Sequence, residues 1–182
     1  MKNNRLVNIE KARNIKLILM DVDGVLTKGE IFCDASGNEL KIWNVKDGLA
    51  FSIAKRMPNL DLGFITGRKS ESVKKRAKNL NIKYLYMGEL NKISAYNEIK
   101  KLSGLDDKNI AYIGDDLVDI PILEKVALSF CPKDSAIEIK NICDEVLDVF
   151  GGCGVFRCTL KFILSAQNRW NNIHEIFQVN SN

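Results

Sequence analysis

The feature that most constrains this chain is a repeated alternation of short apolar runs with segments of helical period. Residues 15–20, 62–66, 83–87, 110–113, 127–131 and 145–149 read as strands. Between them, 47–57, 71–80, 92–102, 121–125 and 135–142 read as helices, and 155–166 reads as a last one. Asp47 and Ser70 stand where N-caps are expected, Pro58 stops the first of these helices, and Pro121 suits a first helical turn. One interruption differs. Residues 30–33 and 39–44 flank a turn cluster, Asp34 to Asn38, and together predict a β-hairpin. Strands alternating with helices through short connections imply an α/β fold: a doubly wound, Rossmann-like, mostly parallel sheet with right-handed crossovers. The expectation is one domain over 1–182, with a hairpin at about 30–44 and a C-terminal tail from 151 whose Asn-rich end frays.

Composition narrows the chemistry. A chain of 182 residues can bury a core without disulfide or metal staples. A net charge of +4 does not by itself imply nucleic acid, and no apolar run is long enough to cross a bilayer. The apolar stretch 17–20 stops at Asp21, so the basic N-terminus is not a secretory signal, and a cytoplasmic setting is expected. Lys74, Lys75, Arg76 and Lys78 form the solvated side of a helix whose Val73, Ala77 and Leu80 share a buried face, so no nucleic-acid or membrane partner is expected. Five cysteines without a C-x-x-C pair read as reduced thiols, and a single histidine, His174, argues against zinc and Ser-His or Cys-His nucleophiles. The chemistry must therefore run on carboxylates, lysine, arginine and hydroxyls.

Ligands of doubly wound sheets bind beyond the carboxyl ends of the strands, so the residues just after each strand matter most. After the first strand come Asp21, Val22, Asp23 and Gly24, and after the second Thr66, Gly67 and Arg68. Lys92 opens the helix after the third strand, and Gly114, Asp115, Asp116 and then Asp119 follow the fourth. Up to five carboxylates in one crevice cannot all stay ionised unless a cation compensates them, and hard oxygen ligands point to Mg²⁺. Lysine, a threonine hydroxyl and magnesium meeting at one spot would hold a phosphoryl group. One carboxylate can attack phosphorus and form an aspartyl-phosphate, while a second protonates the leaving oxygen and later activates water.

These motifs resemble those of the haloacid dehalogenase superfamily of phosphatases: residues 21–27 its first, Thr66 its second, Lys92 its third and 114–119 its fourth. The resemblance implies Asp21 as nucleophile, Asp23 as general acid/base, and Thr66 and Lys92 as phosphate holders. It also implies that Asp21, the carbonyl of Asp23 and Asp115 ligate Mg²⁺, with Asp116 and Asp119 in support. Thr66 lies only 43 positions after Asp23, and Lys92 only 26 after Thr66, which leaves no room for a cap domain. Another subunit or the substrate would then cover the site.

Over roughly 14–164 the chain is similar to the 3-deoxy-D-manno-octulosonate 8-phosphate phosphatase family, through 34–37, 43–48, 64–68 and 151–157. That resemblance implies a sugar-acid phosphate substrate and a homotetramer whose hairpins form a barrel. It also implies a glycine-rich tail that can reach a neighbouring site. Gly67, Lys46, Arg68 and Arg157 would help bind the anionic substrate, arginine being suited to a carboxylate. The chain departs from the family pattern at Leu49-Ala50, Cys153 and Cys158.

Three rivals remain in view. Phosphatases of nonulosonate 9-phosphates are related, but tend to carry an acidic residue where this chain has Arg68. A signalling receiver domain has its phospho-acceptor after a middle strand, whereas D-x-D here follows the first. A non-catalytic assembly module would not need every motif position intact, and here all are.

Overall fold

A computed structural model describes residues 5–37, 39–171, 173 and 177. His174 and most of the chain's end, including the stretch expected to fray, lie outside the described residues, as does Asn38 of the hairpin turn. In chain order the elements are α1 (Arg5–Arg13), β1 (Leu17–Met20), β2 (Phe32–Cys33), β3 (Glu39–Leu40), α2 (Val45–Ala54), β4 (Asp61–Thr66), α3 (Glu71–Leu80) and β5 (Tyr84–Met87). There follow α4 (Lys92–Ser103), β6 (Ile110–Ile113), α5 (Ile120–Leu123), β7 (Leu128–Cys131), α6 (Ile137–Ile142), β8 (Glu145–Val146) and α7 (Val155–Ala166).

Six strands form one sheet in the order β5-β4-β1-β6-β7-β8, and every pairing in it is parallel. The strands are apolar on both faces because helices cover both. Ile18, Met20, Phe64, Ile113 and Phe130 face one layer, where Phe51 of α2, Val73 of α3 and Phe156 of α7 pack. Phe51 stacks on Phe156 with ring centroids 4.2 Å apart and meets Phe64 edge-on at 5.8 Å. Leu17, Leu19, Ile65 and Tyr112 face the other layer, built from Tyr96 and Ile99 of α4, Ile122 of α5 and Ile139 of α6. No helix among the described residues is long and apolar enough to cross a membrane.

Several local details differ from the sequence reading, among them the strand expected over 145–149, which spans only Glu145–Val146, and the helix expected over 135–142, which begins at Ile137. The helix expected to begin at Asp47 begins at Val45, because the Asn44 side chain accepts the Lys46 backbone N–H and caps it instead. Asp47 is thereby carried one turn inward and is buried. The hairpin is real but short, with two paired positions, Phe32 with Leu40 and Cys33 with Glu39. Helix α1 has no counterpart in the sequence reading. It buries only Asn8 and Ala12 and leaves Leu6 exposed, so it lacks an apolar stripe. Polar ties hold it in place: Asn8 Nδ2 donates to the Asp144 carbonyl at 3.1 Å, and Lys11 pairs with the Asp144 carboxylate at 2.6 Å.

Candidate active site

In the strand order, the chain winds from β1 outward to β4 and β5, then returns to β6 and winds the other way. The switch point therefore lies between β1 and β6, and the crevice outside it is where such folds bind ligands. Asp21 directly follows β1, and its backbone N–H donates to the Ile113 carbonyl at the end of β6 at 3.0 Å. Gly24 then turns the chain with φ +81°, a conformation that L side chains rarely adopt. A Cβ there would also collide with the Asp115 carboxylate, so glycine is required twice over.

A buried ion cluster forms beneath the crevice. Lys92 Nζ lies 2.8 Å from Asp21 Oδ2 and 2.6 Å from Asp119 Oδ1, with the Lys92 and Asp119 side chains fully buried. The Tyr112 hydroxyl donates to the same Asp119 Oδ1 at 2.6 Å, and the Asp115 backbone N–H donates to Asp119 Oδ2 at 3.0 Å. Burial pulls the Lys92 ammonium down, but the charges of Asp21 and Asp119 outweigh it and leave its pKa raised. Burial pushes the Asp21 carboxyl up to about 7, against the pull of Lys92 and with a further push from Asp119. Burial likewise raises Asp115 to about 8, helped by the charges of Asp21 and Asp119.

Oxygens of Asp21, Asp115 and Asp119 come within 4.8 Å of one another, a spacing that suits a metal ion. The three are not equivalent as ligands. Asp119 is taken up by Lys92, Tyr112 and a backbone amide, whereas Asp115 Oδ1 is buried with no hydrogen-bond partner among the described residues. An orphaned buried carboxylate oxygen beside a second carboxylate is a site that a hard divalent cation fits. Asp21 and Asp115 are therefore the side chains best placed to hold one, and Asp119 orients Lys92 and the loop after β6. Asp116 sits outside this cluster: it is exposed and accepts the Leu117 backbone N–H at 2.7 Å, capping a short turn.

Asp23 is held by a separate set of contacts. Its Oδ1 accepts the Thr27 hydroxyl at 3.3 Å and pairs with Lys41 Nζ at 2.5 Å, while Oδ2 is buried with no hydrogen-bond partner among the described residues. Lys41 Nζ also lies 2.7 Å from Glu39 Oε1, which in turn lies 3.4 Å from Arg68 Nε. Sequence reasoning missed Lys41 and Glu39. They belong to a short hairpin, lying between two stretches that carry the family resemblance, and only the fold brings Lys41 against Asp23 and Glu39 against Arg68.

A cavity of about 360 Å³ is lined by Asp21, Asp23, Thr66, Gly67, Arg68, Lys92, Asp115 and Asp116, together with Lys28 and Ser135, which the sequence reading did not single out. Lys46 and Arg157 are not among its lining residues. The Arg157 guanidinium lies over the Trp170 ring at 4.7 Å, and its backbone N–H donates to Asp47 Oδ1 at 2.8 Å. The glycine-rich loop before it packs on its own chain: the Gly152 N–H donates to the Val25 carbonyl at 2.9 Å, and Asn44 Nδ2 donates to the Gly152 carbonyl at 3.0 Å. A Cβ on Gly151 would overlap the Gly24 carbonyl.

The doubly wound sheet and the order of motifs along its strand ends define a class, and a family model for the haloacid dehalogenase-like hydrolases matches residues 84–156. The 3-deoxy-D-manno-octulosonate 8-phosphate phosphatase KdsC of Salmonella typhi is 39% identical over 159 residues, covering 87% of this chain and 84% of that one. A crystal structure of the corresponding phosphatase from Moraxella catarrhalis, in complex with magnesium ion, phosphate ion and KDO, superimposes with a TM-score of 0.91. It is 33% identical and covers 98% of this chain and all of its own. The Yersinia pestis phosphatase gives a TM-score of 0.87 at 35% identity, with 90% and 88% of the two chains covered. The chain belongs to this family of 3-deoxy-D-manno-octulosonate 8-phosphate phosphatases within the haloacid dehalogenase-like hydrolases. No cap domain interrupts the sheet among the described residues.

Proposed function

We propose that this protein is a magnesium-dependent phosphatase that hydrolyses 3-deoxy-D-manno-octulosonate 8-phosphate to the free sugar acid and phosphate. The observation that carries this reading is the convergence of Asp21, Asp23, Thr66, Lys92 and Asp115 from separate strand ends on one cavity. The names of the relatives, and the magnesium, phosphate and KDO held by the Moraxella catarrhalis enzyme, support the substrate and the cofactor.

The chemistry follows from the residues. A carboxylate oxygen of Asp21 attacks phosphorus, and the bond from phosphorus to the sugar oxygen breaks with its electron pair on that oxygen. Asp23, whose Oδ2 has no hydrogen-bond partner among the described residues, delivers the proton that turns the oxygen into a hydroxyl. The Asp23 carboxylate then takes a proton from water as the water oxygen attacks the aspartyl-phosphate, which releases phosphate and restores Asp21. Lys92 and the Thr66 hydroxyl hold the phosphoryl group throughout. Asp21, Asp115 and the Asp23 carbonyl would hold magnesium, which when bound would supply positive charge to offset the phosphoryl oxygens and keep the buried carboxylates ionised.

Arg68 lines the cavity and supports recognition of the sugar carboxylate. The roles of Lys46 and Arg157 in binding rest on family resemblance alone. Ile31, Phe32, Leu40 and Ile42 leave the hairpin with exposed apolar side chains, which supports a homotetramer joined through the hairpins. The cysteines are free thiols, which supports a reducing, cytoplasmic setting. The deciding experiment compares kcat/KM for the octulosonate 8-phosphate, a nonulosonate 9-phosphate and an aryl phosphate. Preference for the first is expected, and no preference over the aryl phosphate overturns the substrate.

A further inference from the structure

Between Asp23 and Arg68, two groups of opposite charge and different work, the hairpin inserts a matching pair. Lys41 is 1% exposed in its side chain and touches the carboxylates of both Asp23 and Glu39, and Glu39 touches Arg68. The four groups form a chain of contacts in which carboxylate and cation alternate, and Lys41 and Glu39 compensate each other where they stand. Asp23 lines the cavity; Lys41 Nζ meets it at Oδ1, and the Thr27 hydroxyl meets the same oxygen, so that among the described residues Oδ2 is the oxygen left without a hydrogen-bond partner. A carboxylate otherwise rotates freely about its last bond, and two partners on one oxygen fix which oxygen serves the substrate.

We propose that Lys41 is a positioning residue for Asp23, and that Glu39 holds Lys41 and Arg68 in register, so that the second arm of the hairpin sets the proton donor and the substrate cation with one pair of side chains. This rests on the phosphatase reading, since Asp23 matters here as the group that protonates the leaving oxygen. The consequence is specific to the leaving group. A sugar alkoxide needs the proton as the bond to phosphorus breaks, whereas 4-nitrophenolate leaves without one. Loss of Lys41 should therefore be felt on the sugar phosphate and scarcely on the aryl phosphate.

The test is single-turnover release of the leaving group from octulosonate 8-phosphate and from 4-nitrophenyl phosphate by the full chain with magnesium. Lys41→Met is expected to slow the sugar phosphate by about 100-fold with KM little changed, and the aryl phosphate by less than about threefold. Lys41→Arg is expected to recover part of the loss, and Glu39→Gln to show the same substrate dependence more weakly. Glu39→Gln keeps the lysine and the hairpin, so it decides the matter if Lys41→Met does not fold. Equal losses on both substrates, or none on either, overturn the positioning role while the phosphatase reading stands. A wild-type chain that releases neither leaving group, or an Asp21→Asn chain that releases both at the wild-type rate, overturns the phosphatase reading itself.

Discussion

Asp119 Oδ1 lies 2.6 Å from Lys92 Nζ, and neither side chain is exposed to solvent. A buried pair of this kind contributes little net stability when complete, yet removing one partner leaves a bare charge in a low dielectric. Asp119→Ala is expected to destabilise the chain by about 3 kcal/mol in urea unfolding. It also leaves Lys92 with Asp21 alone, so phosphate binding should weaken in the fraction that stays folded.

Asp21→Asn separates fold from chemistry. Burial already drives the Asp21 carboxyl toward its neutral form, with a pKa of about 7, so a neutral isostere costs the fold little. The variant is expected to match the wild type in its unfolding midpoint, and its magnesium-dependent phosphate release should fall to background. Full activity would refute the nucleophile assignment.

Gly24 and Asp115 share one space. Gly24→Ala must strain a left-handed backbone and displace the carboxylate best placed to hold the cation. The strain is expected to cost about 1–2 kcal/mol of stability. A titration of activity against magnesium should show the requirement raised several-fold more than KM for substrate. An unchanged magnesium requirement would mean that Asp115 does not serve as a ligand.

Asp47 titrates inside the fold. Burial raises it to about 6 from 3.8, despite backbone N–H groups of Arg157, Gly154 and Phe156 that pull it down. The folded state therefore holds the proton more tightly than the unfolded state, and the stability linked to this group is greatest in acid. It is lost as pH rises from about 4 through about 6. Asp47→Asn removes that dependence. Measured by urea unfolding, the variant should gain on the wild type by on the order of 2 kcal/mol between the two ends of that window.

The hairpin offers an independent check on assembly. Phe32→Asp with Leu40→Glu places charge on two exposed apolar side chains of paired positions. Light scattering is expected to show a tetramer for the wild type and a smaller species for the variant, and identical masses would remove the hairpin from the interface.

Much of this arrangement is legible in the chain itself, and the exceptions share a cause. The parallel strands announce themselves because burial on both faces demands continuous apolar runs such as Leu17–Met20. The candidate site is legible because strand ends are short and its residues sit within a few positions of them. Helix α1 was hidden because polar ties to Asp144 anchor it. Lys41 was hidden for a related reason: an isolated lysine on a hairpin looks solvated until the fold closes over it. Asp47 carries a helix-capping residue type, but Asn44 performs that task and Asp47 serves the amino end of α7 instead.

The close approach of Gly151 to the Gly24 carbonyl has a practical outcome for mutational mapping. A saturation scan scored on turnover would flag Gly151 beside the carboxylates, although it does not line the cavity that holds them. Its intolerance would report the fit of two backbone segments, and a ligand-binding assay alone would misplace it among the recognition residues.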